Sequence, residues 1–188
     1  LAVNNIRQCA IGNTPVVVGT TGWYADFENV KNNISEYNGA LLYATNCSIG
    51  VNLFFQLNKQ LAQIMNKHKE YKVSMEETHH TQKLDSPSGT ALLLADSISK
   101  SLGHKTETLI NFRGKSSSMK RKKGEIGMSV IRGGNIVGEH KVSSFGYKEN
   151  IYLTHQALDR EVFASGSINL GLKLMKKKKG FFSVQDLI

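Results

Sequence analysis

Residues 71–78, Tyr-Lys-Val-Ser-Met-Glu-Glu-Thr, alternate side chains in the two-residue period of a half-buried strand and run straight into His79 and His80. A short loop later, Pro87-Ser88-Gly89-Thr90 opens a helix over residues 91–102, with an apolar stripe at Leu92, Ala95, Ile98 and Leu102. This strand–loop–helix unit restricts the fold more than any other segment. It sets the end of a strand, and two imidazoles with it, against the start of a helix whose first N–H groups have no partner within the helix.

The same segment is equipped to hold a small dianion and to give it a proton. The positive end of the helix dipole points into the loop, so the amides of Gly89 and Thr90 can receive a carboxylate or phosphate, with Gly89 permitting close backbone approach. Lys83 supplies a mobile point charge, and an imidazole titrates near neutral pH and can lend a proton. The charges oppose each other: Lys83 pushes a neighbouring histidine toward its neutral form, whereas a bound dicarboxylate draws it back toward imidazolium. Taken singly, the histidines read as strand-end residues with satisfied hydrogen bonds and Ser88-Gly89-Thr90 as an ordinary cap. Their convergence beside a lysine favours a functional reading. No structural metal is expected, because adjacent histidines lack the i, i+4 helical spacing and neither Cys9 nor Cys47 belongs to a Cys-x-x-Cys pair.

Around this unit the chain divides by pattern. Residues 1–46 alternate helix, strand, helix, strand in the manner of the second half of a doubly wound domain. Residues 47–159 begin with a helix at 51–68 and continue through strands near 106–112, 125–132, 136–145 and 150–158. That order predicts an α+β domain with a mostly antiparallel sheet, in which Gly133-Gly134-Asn135 reads as a hairpin turn. His140 stands in the second arm of that hairpin, while His68, His104 and His155 carry no local constellation. Residues 160–177 read as a helix, and Phe181-Phe182-Ser183-Val184 returns the chain to the first domain. The expected domains are therefore 1–46 with 160–188, and 47–159.

A net charge of +9 invites a nucleic-acid reading, so its distribution decides the matter. Lys115, Lys120, Arg121, Lys122 and Lys123, with Lys173 and Lys176 to Lys179, hold ten of the 24 basic residues, and the remainder nearly balance the 15 acidic ones. The body is close to neutral, and no RNP-like aromatic motif or zinc finger accompanies the clusters, so no nucleic-acid partner is expected. The Lys115–Lys123 loop reads as a patch that could concentrate an anionic ligand. No apolar run approaches the ~20 residues of a membrane span, no secretory signal opens the chain, and two distant cysteines suggest reduced thiols in a cytoplasm.

Residues 77–91 resemble the signature of the 4-hydroxy-tetrahydrodipicolinate reductase family. The resemblance continues in Gly19-Thr20-Thr21-Gly22, in Ala44-Thr45-Asn46-Cys47-Ser48-Ile49-Gly50-Val51-Asn52, in Ile136-Val137-Gly138-Glu139-His140, in Leu153-Thr154-His155 and in Arg160-Glu161-Val162-Phe163-Ala164, covering nearly the whole chain. It implies an α/β plus α+β fold: a Rossmann-like dinucleotide-binding domain, present as its C-terminal half, with an inserted α+β domain for substrate binding and oligomerisation. It also implies NADH- or NADPH-dependent reduction of 4-hydroxy-tetrahydrodipicolinate to tetrahydrodipicolinate in diaminopimelate and lysine biosynthesis. By resemblance His79 is the acid/base residue, assisted by Lys83, and His80, Lys83, Gly89 and Thr90 clasp the substrate. Gly19, Thr20 and Thr21 with Ala44, Thr45, Asn46 and Cys47 meet the nicotinamide side of the cofactor, and the protein assembles as a homotetramer. Cys47 stands where the family more usually has an aromatic residue.

A dinucleotide unit needs a Gly-x-Gly-x-x-Gly turn opening its first helix, and none occurs. The chain opens at Leu1 in what reads as the end of a helix, so the expectation is a truncated chain whose pyrophosphate loop lies elsewhere. Two alternatives stand beside the reductase: a non-catalytic fragment that binds the dicarboxylate or oligomerises without tight dinucleotide binding, and a reductase of another small imino or oxo dicarboxylate.

Overall fold

The structure, a computed structural model, describes residues 1–103, 125–177 and 179–188, together with the backbone of 109–112. The Lys115–Lys123 loop, His104, Lys178 and the first part of the strand expected at 106–112 lie outside the described residues. The rest forms two compact units, Leu1–Asn52 with Glu161–Ile188, and Leu53–Arg160.

In the first unit the short apolar runs become strands because both their faces are covered. Strands β1 (Val16–Val18), β2 (Ala40–Tyr43) and β8 (Gly180–Phe182) form a parallel sheet in the order β1-β2-β8. Helices α1 (Ala2–Ile11) and α2 (Phe27–Glu36) turn Ile6, Ala10, Val30 and Ile34 into one cluster with Leu41 and Trp23. Helix α5 (Glu161–Leu174) turns Leu170 and Leu174 into a second cluster with Ala40, Leu42, Ala44 and Cys47. This two-sided burial is what a continuous apolar strand such as β2 requires. Helix α5 approaches so closely at Gly166 that a Cβ there would lie 2.1 Å from the Cys47 carbonyl oxygen, so no larger residue fits without moving the helix. The Phe-Phe run at the C-terminus does return to this sheet, as β8 beside β2.

The second unit is a five-stranded sheet in the order β4-β5-β3-β6-β7, built from β3 (Lys72–His79), β4 (Leu109–Phe112), β5 (Ile126–Arg132), β6 (Gly138–Phe145) and β7 (Asn150–Ala157). One face packs on α3 (Ile49–Met65) and α4 (Gly89–Ser101): Phe54 and Ala62 from α3, and Ala91, Leu94, Ala95 and Ile98 from α4, bury Met75, Ile126, Met128 and Val142. The opposite face leaves Ser129, Ile131, Phe145, Tyr152 and Thr154 exposed.

The longer pairings, β3–β6 and β6–β7, are antiparallel as expected, while β3–β5 and β4–β5 are parallel, so the sheet is mixed. One expectation changes. Gly133-Gly134-Asn135 is not a hairpin turn, because β3 lies between β5 and β6. The local turn signal is real, but β3 carries the buried side chains Met75, Glu77 and His79 and takes a strand on each side, so non-local pairing overrides the adjacent partner. The glycine loop instead crosses the end of β3: the Gly133 amide donates to the His79 carbonyl at 2.9 Å, and the Thr81 amide to the Gly134 carbonyl at 3.3 Å.

Candidate functional site

Register on the helix-covered face converts the sequence of β3 into a gradient of polarity. Met75 lies beside Met128 and Val142, an apolar rung. One rung on, Glu77 lies between Val130 and His140, with His155 beyond. At the strand end, His79 pairs with Arg132, and the site of a Cβ on Gly138 would be 3.1 Å from His79 Nε2. The period of two that places Met75 in the core therefore carries a carboxylate and an imidazole inward at its open end.

Glu77 is 1 % exposed and its carboxylate organises the neighbourhood. The Ser88 amide donates to both oxygens at 3.0 and 3.2 Å, and Arg132 Nη2 donates to Oε1 at 3.0 Å. His79 Nδ1 and His140 Nε2 each lie 3.6 Å from Oε2. Burial raises the Glu77 pKa, but hydrogen bonding from His140, Ser88 and Arg132 outweighs it and holds the group at about 2. His79 is pushed down to about 4, first by burial and then by the charges of His140, Lys83 and Arg132, against the opposing pull of Glu77. The sequence argument assigned this effect to Lys83, whereas desolvation leads it.

The loop beyond β3 gathers the other expected residues. Ser88 caps α4, its Oγ accepting from the Ala91 amide at 3.1 Å and lying 3.2 Å from His140 Nε2. Lys83 Nζ is 2.7 Å from Asp85 Oδ1. The Lys83 ammonium holds the Asp85 carboxyl below its usual range, and the Gly89 amide adds to that. Lys83 and the start of α4 thus already converge on one carboxylate. His80 Nε2 lies 3.1 Å from Arg160 Nη2, an arrangement in which the guanidinium donates and the ring proton sits on Nδ1. Buried polar atoms without a partner among the described residues include His79 Nδ1, His80 Nδ1, Ser86 Oγ and Arg132 Nε, a concentration expected of a site that takes a polar ligand.

Glu77, His79 and His140 also bring one ligand atom each within 4.8 Å of one another, a donor set that zinc could use. The Ser88 amide and the Arg132 guanidinium already occupy the Glu77 carboxylate, and a metal ion there would face that guanidinium. The cluster is therefore read as a hydrogen-bonded ion cluster.

Sequence reasoning missed Glu77, Ser88 as a partner of His140, Arg132, Gly138, His140, Asp85 and Arg160. For Glu77 a signal existed, since an acid at i+2 from Met75 and i−2 from His79 must share their buried face. For Arg132 and His140 none existed, because only the register of β5 and β6 on β3 brings them there.

In the first unit, two loops follow parallel strands at their carboxyl ends, where such sheets bind ligands. Gly19, Thr20 and Thr21 are exposed after β1, and Trp23 Nε1 fixes that loop by donating to the Thr20 carbonyl at 2.8 Å. Of the second set, Thr45 is exposed, but Ala44 and Cys47 are buried in the core and Asn46 Oδ1 accepts from the Ser48 amide at 2.9 Å. Ala44 and Cys47 can offer a ligand little beyond backbone atoms. A cavity of about 600 Å³ beside β1, lined by Ile6, Val16, Val17, Gly19, Thr20 and Trp23 among others, is mostly apolar. The described lining carries no Lys, Arg or His side chain.

The shifts in the second unit make its stability acid-sensitive. A histidine whose folded pKa lies below its unfolded value of 6.5 favours the folded state above pH 6.5, and that advantage is lost as pH falls through about 4. His155, lowered by burial, adds in the same direction. Glu77 contributes stability present above 4.5 and lost only as pH falls through about 2. Denaturant unfolding at stepped pH is expected to show a decline beginning near pH 6.5, and His79→Asn is expected to reduce the slope between 6.5 and 4. An unchanged slope would place His79 in a more solvated setting.

Comparison with known proteins agrees with this architecture. The model of the family described as dihydrodipicolinate reductase, C-terminus, matches residues 50–188. A 4-hydroxy-tetrahydrodipicolinate reductase of Pelobacter propionicus is 32% identical over 188 residues, covering 100% of this chain and 69% of the relative. One from Clostridium novyi is 40% identical over 178 residues, covering 94% of this chain and 68% of the relative. In fold, the chain is similar to a solved structure of dipicolinate-bound dihydrodipicolinate reductase from Paenisporosarcina sp. TG-14, with a TM-score of 0.77 at 21% identity, across 100% of this chain and 69% of that one. With the family model matched over residues 50–188 and a relative 32% identical across the whole chain, and not on one motif alone, the chain belongs to the dihydrodipicolinate reductase family.

Proposed function

We propose that the protein reduces 4-hydroxy-tetrahydrodipicolinate to tetrahydrodipicolinate with NADH or NADPH, in the diaminopimelate route to lysine. In this reading the second unit holds the cyclic dicarboxylate and the first holds the dinucleotide through Gly19, Thr20, Thr21 and Thr45, with backbone atoms of 44, 46 and 47. The observation that carries it is the convergence of the Lys83 ammonium and the Gly89 amide on a carboxylate, that of Asp85. A substrate carboxylate takes the place of Asp85, held by Lys83 and by the Gly89 and Thr90 amides at the positive end of α4. The second carboxylate is received by His80 and Arg160, whose guanidinium suits planar recognition.

The dinucleotide supplies a hydride when bound. What the protein's own residues must add is neutralisation of two carboxylates, orientation of the ring and one proton for the enamine that hydride addition leaves. His79 gives that proton. With its pKa at about 4 in the free protein, the ring is neutral at pH 7, and a dianion beside it raises that value and recharges it. The open face of the five-stranded sheet, with Ile131, Phe145 and Tyr152 exposed, supports assembly as a homotetramer.

Calorimetric titration with dipicolinate at pH 7, in two buffers of different ionisation enthalpy and with NADH or NADPH present, tests this reading. Saturable binding with uptake of approaching one proton per dicarboxylate is expected. Absence of dicarboxylate binding under all conditions would overturn it.

A further inference from the structure

The geometry points to Glu77 as the positioning residue for the proton donor: its carboxylate holds the Nδ1–H of His79, leaves Nε2 as the atom that gives up the proton, and ties that ring to the helix cap that receives the substrate. The inference rests on the reading of His79 as donor.

The assignment of nitrogens follows from who occupies each side of the ring. Nδ1 has no hydrogen-bond partner among the described residues, and the acceptor facing it is Glu77 Oε2 at 3.6 Å, just beyond hydrogen-bond length. Arg132 takes Oε1, while Oε2 also accepts the Ser88 amide at 3.2 Å and has His140 Nε2 at 3.6 Å, a ring that has Ser88 Oγ at 3.2 Å as its nearer partner. On the other side, Nε2 faces Gly138, which places no side chain against it. A Cβ at 3.1 Å from Nε2 would close the space.

Charge points the same way. The ionisable groups facing His79 are Glu77 on its own strand, His140 on β6, Arg132 on β5 and Lys83 in the loop, with His155 of β7 behind His140. Glu77 is the one acidic group among them. An imidazolium formed on substrate binding therefore has, among the described groups facing it, this carboxylate to stabilise it against Arg132 and Lys83. The same carboxylate accepts the Ser88 amide, so donor ring and anion-binding cap share one anchor. Second-partner control of a histidine's tautomer is a general device of catalytic sites.

Two measurements test it. In the wild-type protein at pH 7, long-range ¹H–¹⁵N spectra are expected to show neutral His79 as the Nδ1–H tautomer. A predominant Nε2–H tautomer overturns the inference while leaving His79 itself a candidate donor. In Glu77→Gln, which keeps an acceptor for the Ser88 amide, kcat at pH 7 is expected to fall about a hundredfold. KM for the dicarboxylate should stay within about threefold, and the kcat–pH profile should move to lower pH by about one unit or more. A folded Glu77→Gln protein with an unmoved pH profile, or with its loss confined to KM, makes Glu77 merely structural and overturns the inference. Should that variant not fold, the wild-type tautomer decides alone.

Discussion

Replacing His79 by Gln is expected to lower kcat about a hundred- to ten-thousandfold, the range for losing a positioned general acid, while dicarboxylate affinity changes by less than about tenfold. The asymmetry follows from position. His79 is 7 % exposed at the end of β3, its Nδ1 turned to Glu77, and in the proposed reaction the anion donors are other groups: Lys83, the Gly89 amide and Arg160. In that reaction its proton is called for after hydride addition, so its interaction belongs to the transition state more than to the bound substrate. Gln fills similar space and can hydrogen-bond Glu77 but has no titratable proton to give. Steady-state kinetics with NADH or NADPH, paired with dipicolinate inhibition constants, separate the two quantities. Wild-type kcat in this variant would remove His79 from the mechanism. The same substitution should also abolish the proton uptake that accompanies dicarboxylate binding, because the group that recharges is gone.

How much of this was legible before the coordinates depends on whether the determining contacts are local. The strand ending at His79, the helix opened by Ser88 and the return of Phe181 and Phe182 to the first sheet are governed by alternation, by a side-chain cap and by apolar runs, each contained within a few residues. Sheet order was not legible. Gly133-Gly134 obeys the hairpin rule, yet its strands are separated by β3, and nothing near those glycines encodes that insertion. The same limit hid Arg132 and His140, which reach Glu77 across the register of two strands. Asp85 is different: it lies two residues from Lys83, but nothing in the sequence marks a loop acid as that lysine's partner. For Cys47, which the resemblance places against the cofactor, the sequence did not show that its side chain packs in the core beneath α5, where Gly166 meets its carbonyl and only backbone atoms are left for a ligand.

Lys83→Ala is expected to weaken dicarboxylate binding about a hundredfold and to lower kcat/KM at least as much, since a charge-assisted hydrogen bond to a carboxylate contributes roughly 1.5–3 kcal/mol and acts in ground and transition states alike. The ion pair in the free protein makes the single substitution worse than a simple loss. With Lys83 gone, the Asp85 carboxylate keeps its place near the Gly89 amide without its main counter-charge and repels the incoming dianion. The second substitution Asp85→Asn should therefore restore binding about three- to tenfold in the Lys83→Ala background, while doing less in the wild type, where Lys83 neutralises the acid. Dipicolinate titrations of the four proteins form a double-mutant cycle whose coupling reports this repulsion. Raising the salt concentration should shrink the coupling, because Asp85 is more than half exposed and its field is screened. Strict additivity at low salt would mean that the substrate does not displace Asp85 from Lys83, and the carboxylate would then have to be received by Arg160 and the α4 amides without it.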